Sequence, residues 1–390
     1  SLEENNLIAK VDQWSPLTGR VSIHGIYQER TMLNYNQIDS LNMTDKCRSL
    51  GFSVEKDLKN YLFTFATSSK STLLDLDYTS TRHAFIERQN SILTGSVEFF
   101  LDQKNKNAYF KDLKMVFSKE RTTDIQDIGY GIYVPPNYWD DHSFQISTTI
   151  VDQKENKQNS FYASFGESSN VPYLEDVVKA SAYSFLINDE NDIMPEKRSS
   201  IELVFSQKNK FEKYQWSFQS RMKIFSHQFE NKIKQIPLIG DALDLPLNVG
   251  RVSRAGLNLQ FKLQPVTHRF QFSSTLSYFG SSDFSKFQLL PTSVMKNQIF
   301  IHNRYFNLNL MALVTSKRSL TYMDDSDLIV DRELKRDTNY CLQISKGFRY
   351  KMFNVILSLS GDNLNDNVIL IDDIRINEKR YFFDVSVSIQ

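Results

Sequence analysis

The chain has 390 residues with 46 basic and 46 acidic side chains, and this zero formal net charge excludes the electrostatic footprint of a general nucleic-acid binder. Hydrophobic residues make up 41% and charged residues 24%, aromatics reach 13% with 29 Phe and 18 Tyr, and Gly and Pro number only 13 and 9, so strand formers dominate. No run of 18 apolar residues occurs, which excludes a transmembrane helix but not a set of membrane-crossing strands of about 10 alternating residues each.

In chain order, residues 1–19 read as an N-terminal segment and 20–390 as one strand-rich domain. Val21, Ile23, Gly25 and Tyr27 alternate with Ser22, His24 and Gln28. Leu74, Leu76 and Tyr78 bracket Asp75 and Asp77, and Leu93, Gly95, Val97, Phe99 and Leu101 alternate with Ser96, Glu98 and Asp102. Leu113, Met115 and Phe117 oppose Asp112, Lys114 and Ser118, while Phe144, Ile146, Thr148 and Ile150 oppose Gln145, Ser147 and Thr149. The same period of two continues through Tyr214, Trp216 and Phe218, Leu257 to Leu263, Phe270 to Tyr278, Phe306 to Ala312, and Phe353 to Leu359. It ends with Tyr381, Phe383, Val385, Val387 and Ile389 alternating against Asp384, Ser386, Ser388 and Gln390. Each segment predicts a two-faced strand, and roughly 14 to 18 of them are expected, the range of mid-sized barrels.

Polar connections separate the strands. Residues 102–107, 152–159 and 206–213 read as short charged hairpin turns, and 118–142 and 188–198 as longer loops, an alternation suited to a barrel inserted in one orientation. Residues 227–254 break the pattern: Pro237, Pro246 and the helical spacing of Phe229, Ile233 and Ile236 suit a long loop with a helical turn, or a segment folded into the lumen as a plug.

The polar faces hold Ser, Thr, Asn and Gln with a few charges, where the exposed face of a soluble sandwich would be rich in Lys and Glu. The apolar faces run four or five residues, enough to cross a hydrocarbon band about 25 Å tall. Tyr27, Tyr78, Phe117, Tyr278, Tyr305 and Tyr381 fit aromatic girdles at its borders. On these residues the chain resembles the porin-like class of outer-membrane β-barrels: all-β, a single large antiparallel transmembrane barrel with one long inserted loop. The terminal strand is similar to the one barrel-assembly machinery recognises, although it ends Ile389-Gln390 where bacterial members commonly end in Phe. The resemblance implies a bacterial outer membrane, with the mitochondrial one as the alternative. It also implies a lipid bilayer as partner, and either copies of this chain or subunits of a membrane complex. Closure of such a barrel would bring strands near residue 20 against 379–389.

No Walker loop, G-x-G-x-x-G, H-E-x-x-H or G-x-S-x-G occurs, so no catalytic residue, cofactor or metal site is expected. The acidic stretches 323–333 and 361–367 lack the spacing of a Ca²⁺ loop, and His302 and Asn303 would point to opposite faces. Cys47 and Cys341 could form one staple. The expected lumen-facing residues are Asp75, Asp77, Glu98, Asp112, Lys114, Lys262, Arg269, Arg375 and Asp384, which either pair and fill the interior or create a field that selects solutes. Tyr381, Phe383, Val385, Val387 and Ile389 would face lipid. Three functions follow: a channel or transporter for passive movement of polar solutes, the membrane part of an export or assembly complex, or a soluble lipid- or glycan-binding β protein.

Overall fold

The computed structural model describes residues 2–15, 19–35, 40–58, 61–78, 82–100, 110–127, 137–154, 156–173, 177, 193–237, 244–265, 269–287, 289–323, 329–350, 353–366, 369–371, 374–376 and 379–389. The strands are β1 (Leu2–Ser15), β2 (Gly19–Tyr35), β3 (Ser40–Leu58), β4 (Tyr61–Tyr78), β5 (Arg82–Phe100), β6 (Phe110–Asp127), β7 (Asn137–Lys154) and β8 (Lys157–Asn170). They continue with β9 (Glu196–Phe211), β10 (Trp216–Glu230), β11 (Ile233–Pro237), β12 (Asp244–Asn248), β13 (Val252–Pro265), β14 (Phe270–Ser281), β15 (Ser293–His302) and β16 (Asn307–Thr315). The last are β17 (Arg318–Met323), β18 (Ile329–Leu334), β19 (Asp337–Tyr350), β20 (Phe353–Asp362), β21 (Ile369–Ile371), β22 (Ile374–Ile376) and β23 (Arg380–Ile389).

Seventeen of these strands, within the expected range, join one antiparallel meander, and β11–β12, β17–β18 and β21–β22 are separate two-stranded ladders. Local alternation explains the pairing. β4 sets Phe63 and Phe65 opposite Val97 and Gly95 of β5, which in turn stand opposite Met115 and Phe117 of β6, so one face stays apolar from strand to strand. β23 does the same against β20, with Tyr381, Phe383, Val385 and Val387 opposite Gly361, Leu359, Leu357 and Val355.

Several boundaries differ from the sequence expectation. Residues 2–15 are not a separate segment: β1 pairs along its length with β2, from Leu2 opposite Met32 to Ser15 opposite Gly19. β2 therefore has both edges occupied, by β1 and β3, and is not the partner of the terminal strand, which pairs with β20. Strand also runs through much of what reads as loop, because Ser118–Asp127 continues β6 and 206–211 continues β9. Hydrogen bonding of the ladder sustains these extensions where side chains are charged on both faces. The turn after β9 is reduced to the 3₁₀ residues Glu212–Tyr214.

The stretch 227–254 holds no helix among its described residues. β10 ends at a corner where Asn231 has φ of 52° and Gly250 φ of 76°, left-handed backbone that Asn and Gly accept most readily. Lys232 N donates to Gly250 O at 3.0 Å and Val249 N to Lys232 O at 2.8 Å, and the chain then continues as the β11–β12 hairpin. The helical spacing of Phe229, Ile233 and Ile236 thus comes from two strands joined across a corner that resets their parity. Asn248 clamps the corner, donating from Nδ2 to Asn231 O at 2.8 Å and to Met194 O at 3.1 Å. Glu196 accepts from Lys232 Nζ at 2.6 Å and Ile233 N at 3.1 Å. Phe229, Ile236, Val252 and Ile193 are buried around it.

The chain divides into two compact units, one of Ser1–Thr149, Ser164–Ile201 and Gln228–Val252, the other of Ile150–Ala163, Glu202–His227 and Ser253–Gln390. The connections of the meander also fall into two alternate sets. The long ones, after β8 (171–195), β10 (231–251), β16 (316–336) and β20 (363–379), all belong to the same set.

Candidate functional site

A polar surface of the second unit lies on β8, β9, β10, β13 and β14. Residue parity builds it: Ile201, Leu203 and Phe205 of β9 and Met222 and Ile224 of β10 are exposed on the apolar face, which leaves Glu202, Ser206, Lys208, Gln219, Arg221 and Lys223 on the other. On β13 and β14 the register sets Asn258 opposite Ser277, Gln260 opposite Thr275 and Lys262 opposite Ser273.

At one end of this face an aromatic and cationic stack is packed. Arg254 places its guanidinium carbon 4.5 Å from the Phe279 ring centre and 5.5 Å from that of Phe225. The tip of the Phe225 ring reaches Gly256, where an added Cβ would stand 2.6 Å from Cζ and 2.7 Å from the Tyr278 carbonyl, so glycine is required there. Beside it Glu202 accepts from Lys223 Nζ at 2.8 Å and contacts His227 Nε2 at 3.2 Å. Asn258 Nδ2 donates to Ser277 Oγ at 2.7 Å.

Further along the strands the same face opens into a hollow of about 540 Å³ lined by Gln158, Lys208, Gln219, Arg221, Gln260, Lys262 and Gln271, with Ser160, Ser206, Ser273 and Thr275. Among the described residues, Lys208, Arg221 and Lys262 have no carboxylate within ion-pair distance. Amides and hydroxyls here offer hydrogen-bond donors and acceptors to a polar group brought to the hollow. The three cations bias that exchange toward anions.

In the first unit, the charges around Arg88 are treated differently from those of the hollow. Arg88 of β5 stands opposite Asp124 of β6 and holds it with two hydrogen bonds, Nε to Oδ1 at 2.7 Å and Nη2 to Oδ2 at 2.6 Å. Asp124 is fully buried. Arg88 also donates to the Pro172 carbonyl and lies 5.4 Å from the Trp139 ring centre, which ties the start of the β8–β9 connection to these strands.

Of the expected lumen-facing residues, Glu98 and Lys114 face each other across β5 and β6 at 3.7 Å. Asp112 lies two residues before Lys114, and its carbonyl accepts from Thr148 Oγ1 at 2.9 Å. Lys262 lines the hollow, Arg269 is exposed just before β14, and Asp384 of β23 accepts from Ser358 Oγ at 3.5 Å. The side chains of Asp75, Asp77, Arg375 and Ile389 lie outside the described residues. Tyr381, Phe383, Val385 and Val387 are exposed, as are all the described side chains of β23. Both cysteines are free, and among the described residues no three His, Cys, Asp or Glu side chains gather at metal-binding distance. Sequence reasoning missed Lys208, placed in an expected turn, and Arg221, although the parity of Gln215, Ser217 and Gln219 already pointed to it.

No protein-family model matches the chain, and no curated protein matches it in sequence. Solved structures match it along nearly its whole length. The copper transporter OprC covers 98% of this chain at 12% identity with a TM-score of 0.67, and the FrpB iron transporter from Neisseria meningitidis covers 98% at 10% and 0.67. The alcaligin outer-membrane receptor FauA from Bordetella pertussis covers 92% at 12% and 0.61. The fold is that of an outer-membrane β-barrel. The chain spans 65%, 62% and 59% of the length of those three structures, so this outer-membrane barrel is matched to a part of each.

Proposed function

We propose that this chain is the membrane-spanning barrel of an outer-membrane transporter, in a bacterium, whose polar face lines a water-filled lumen and carries polar solutes with a preference for anions. The observation that carries this reading is the hollow at Lys208, Arg221 and Lys262, a cationic wall set among amides with no neighbouring carboxylate among the described residues. The likeness to OprC, FrpB and FauA supports transport or uptake through an outer-membrane barrel. Grouping of the long connections in one set supports a single orientation, since barrels of this kind carry short periplasmic turns and longer extracellular loops. Residues 227–254 narrow the lumen in this reading, with β11–β12 as the inserted element.

Passive movement is the narrower part of the proposal, and planar-bilayer recording tests it. Steady conductance steps with a reversal potential displaced toward chloride are expected under a KCl gradient. The displacement should shrink in the double variant Arg221→Glu, Lys262→Glu. Folded, detergent-requiring protein that gives no conductance would remove passive movement and leave ligand-driven uptake. A cation-selective pore would remove the anionic wall.

A further inference from the structure

The apolar face of the first unit carries a gap as specific as any polar site. Phe65 and Phe117 flank Gly95 from the adjacent strands, and an added Cβ on Gly95 would meet nothing within 4 Å. The missing side chain opens a groove of about 590 Å³ lined by Val54, Phe63, Phe65, Val97, Met115, Phe117, Phe144 and Ile146, with Lys56 beside Phe63. On β6 the face changes character within one step of two residues, about 7 Å along the strand. Met115 and Phe117 are followed by Lys119 and Arg121, which are 51% and 68% exposed.

Lys119 Nζ lies 3.2 Å from Asp140 Oδ1 and Arg121 Nη2 3.3 Å from Asp140 Oδ2. Two cations share one carboxylate, so the cluster keeps a net positive charge. Exposed His142 lies on the same face, and exposed Tyr138 stands next on β7 as an interfacial aromatic would. An apolar groove ending in a cationic pair matches one ligand chemistry: an acyl chain joined to a phosphate.

We propose that this face holds one phosphate-bearing membrane lipid, its acyl chain in the Gly95 groove and its phosphate on Lys119 and Arg121. The site rests on the reading of the apolar face as lipid-facing and is independent of what the lumen carries. β6 runs from the groove through Lys119 toward the connection 128–136, so the phosphate belongs to the leaflet on that side.

Native mass spectrometry of the detergent-extracted protein tests it, with phosphatidylglycerol compared against diacylglycerol of the same acyl chains. The phospholipid should give about thirtyfold more adduct, since each of the two basic residues at a membrane surface contributes about 1 kcal/mol. Lys119→Ala with Arg121→Ala should abolish that preference while leaving diacylglycerol adducts unchanged. Gly95→Phe, placed in open space, should fold and reduce adducts of both lipids; Gly95→Leu serves if the larger ring perturbs the barrel. Equal adducts of the two lipids in the parent protein would overturn the phosphate site, and undiminished adducts in the filled-groove variant would overturn the acyl site. A chain that stays monodisperse in buffer without detergent would sink the membrane reading itself.

Discussion

Two regions, one in each unit, use charge on their polar faces in opposite ways. In the first, Arg88 and Asp124 form a buried bidentate pair and Glu98 faces Lys114, so charge is cancelled locally and serves to hold strands and connections together. In the second, Lys208, Arg221 and Lys262 stand in a polar hollow with amides for neighbours. An ion left unpaired at a water-lined wall costs little because water solvates it, whereas an unpaired buried ion is expensive. Pairing at Arg88 therefore supports the fold, and its absence in the hollow leaves charge free for the solute that the proposed lumen would carry.

The largest effect should come from Arg88→Ala, which strands a fully buried carboxylate and should lower stability by about 3–5 kcal/mol in urea titrations of the detergent-folded protein. The double variant Arg88→Ala, Asp124→Ala should recover a measurable part of that loss; if it is no better than the single one, the pair is not what supports this region. Next comes Gly256→Val, which drives a side chain into the Phe225 ring and the Tyr278 carbonyl and should cost about 1–3 kcal/mol by thermal unfolding. Phe225→Ala in the same chain should relieve only the ring's share.

Lys114→Ala should move stability by no more than about 1 kcal/mol, because its pair with Glu98 is long and partly exposed. Lys262→Glu should be smallest of all in stability, within about 0.5 kcal/mol, while shifting the reversal potential of the pore toward cations. A destabilisation by Lys262→Glu as large as that of Arg88→Ala would erase the distinction between the two faces.

Much of the fold is legible in the sequence because a strand's two faces are a local property. Tyr381, Phe383, Val385 and Val387 share a face by counting in twos, and the register sets them opposite Gly361, Leu359, Leu357 and Val355 of β20. The candidate site was partly legible for the same reason, since Lys262 follows from the parity of Leu257 to Leu263. Lys208 did not, because a charged stretch gives no contrast between faces and the continued ladder of β9 cannot be seen there.

By itself the sequence determined an all-β chain of two-faced strands, with four or five apolar residues to one face and amides and hydroxyls on the other. Tertiary structure alone decided which residues meet. Arg88 and Asp124 lie 36 positions apart and become partners only through the β5–β6 register, while Gly95 becomes a groove only between Phe65 and Phe117. Phe229, Ile233 and Ile236 look helical until the left-handed corner at Asn231 splits them between two strands. Alternation is set by the backbone two residues at a time, whereas register, corners and unpaired charges depend on neighbours brought in from distant parts of the chain.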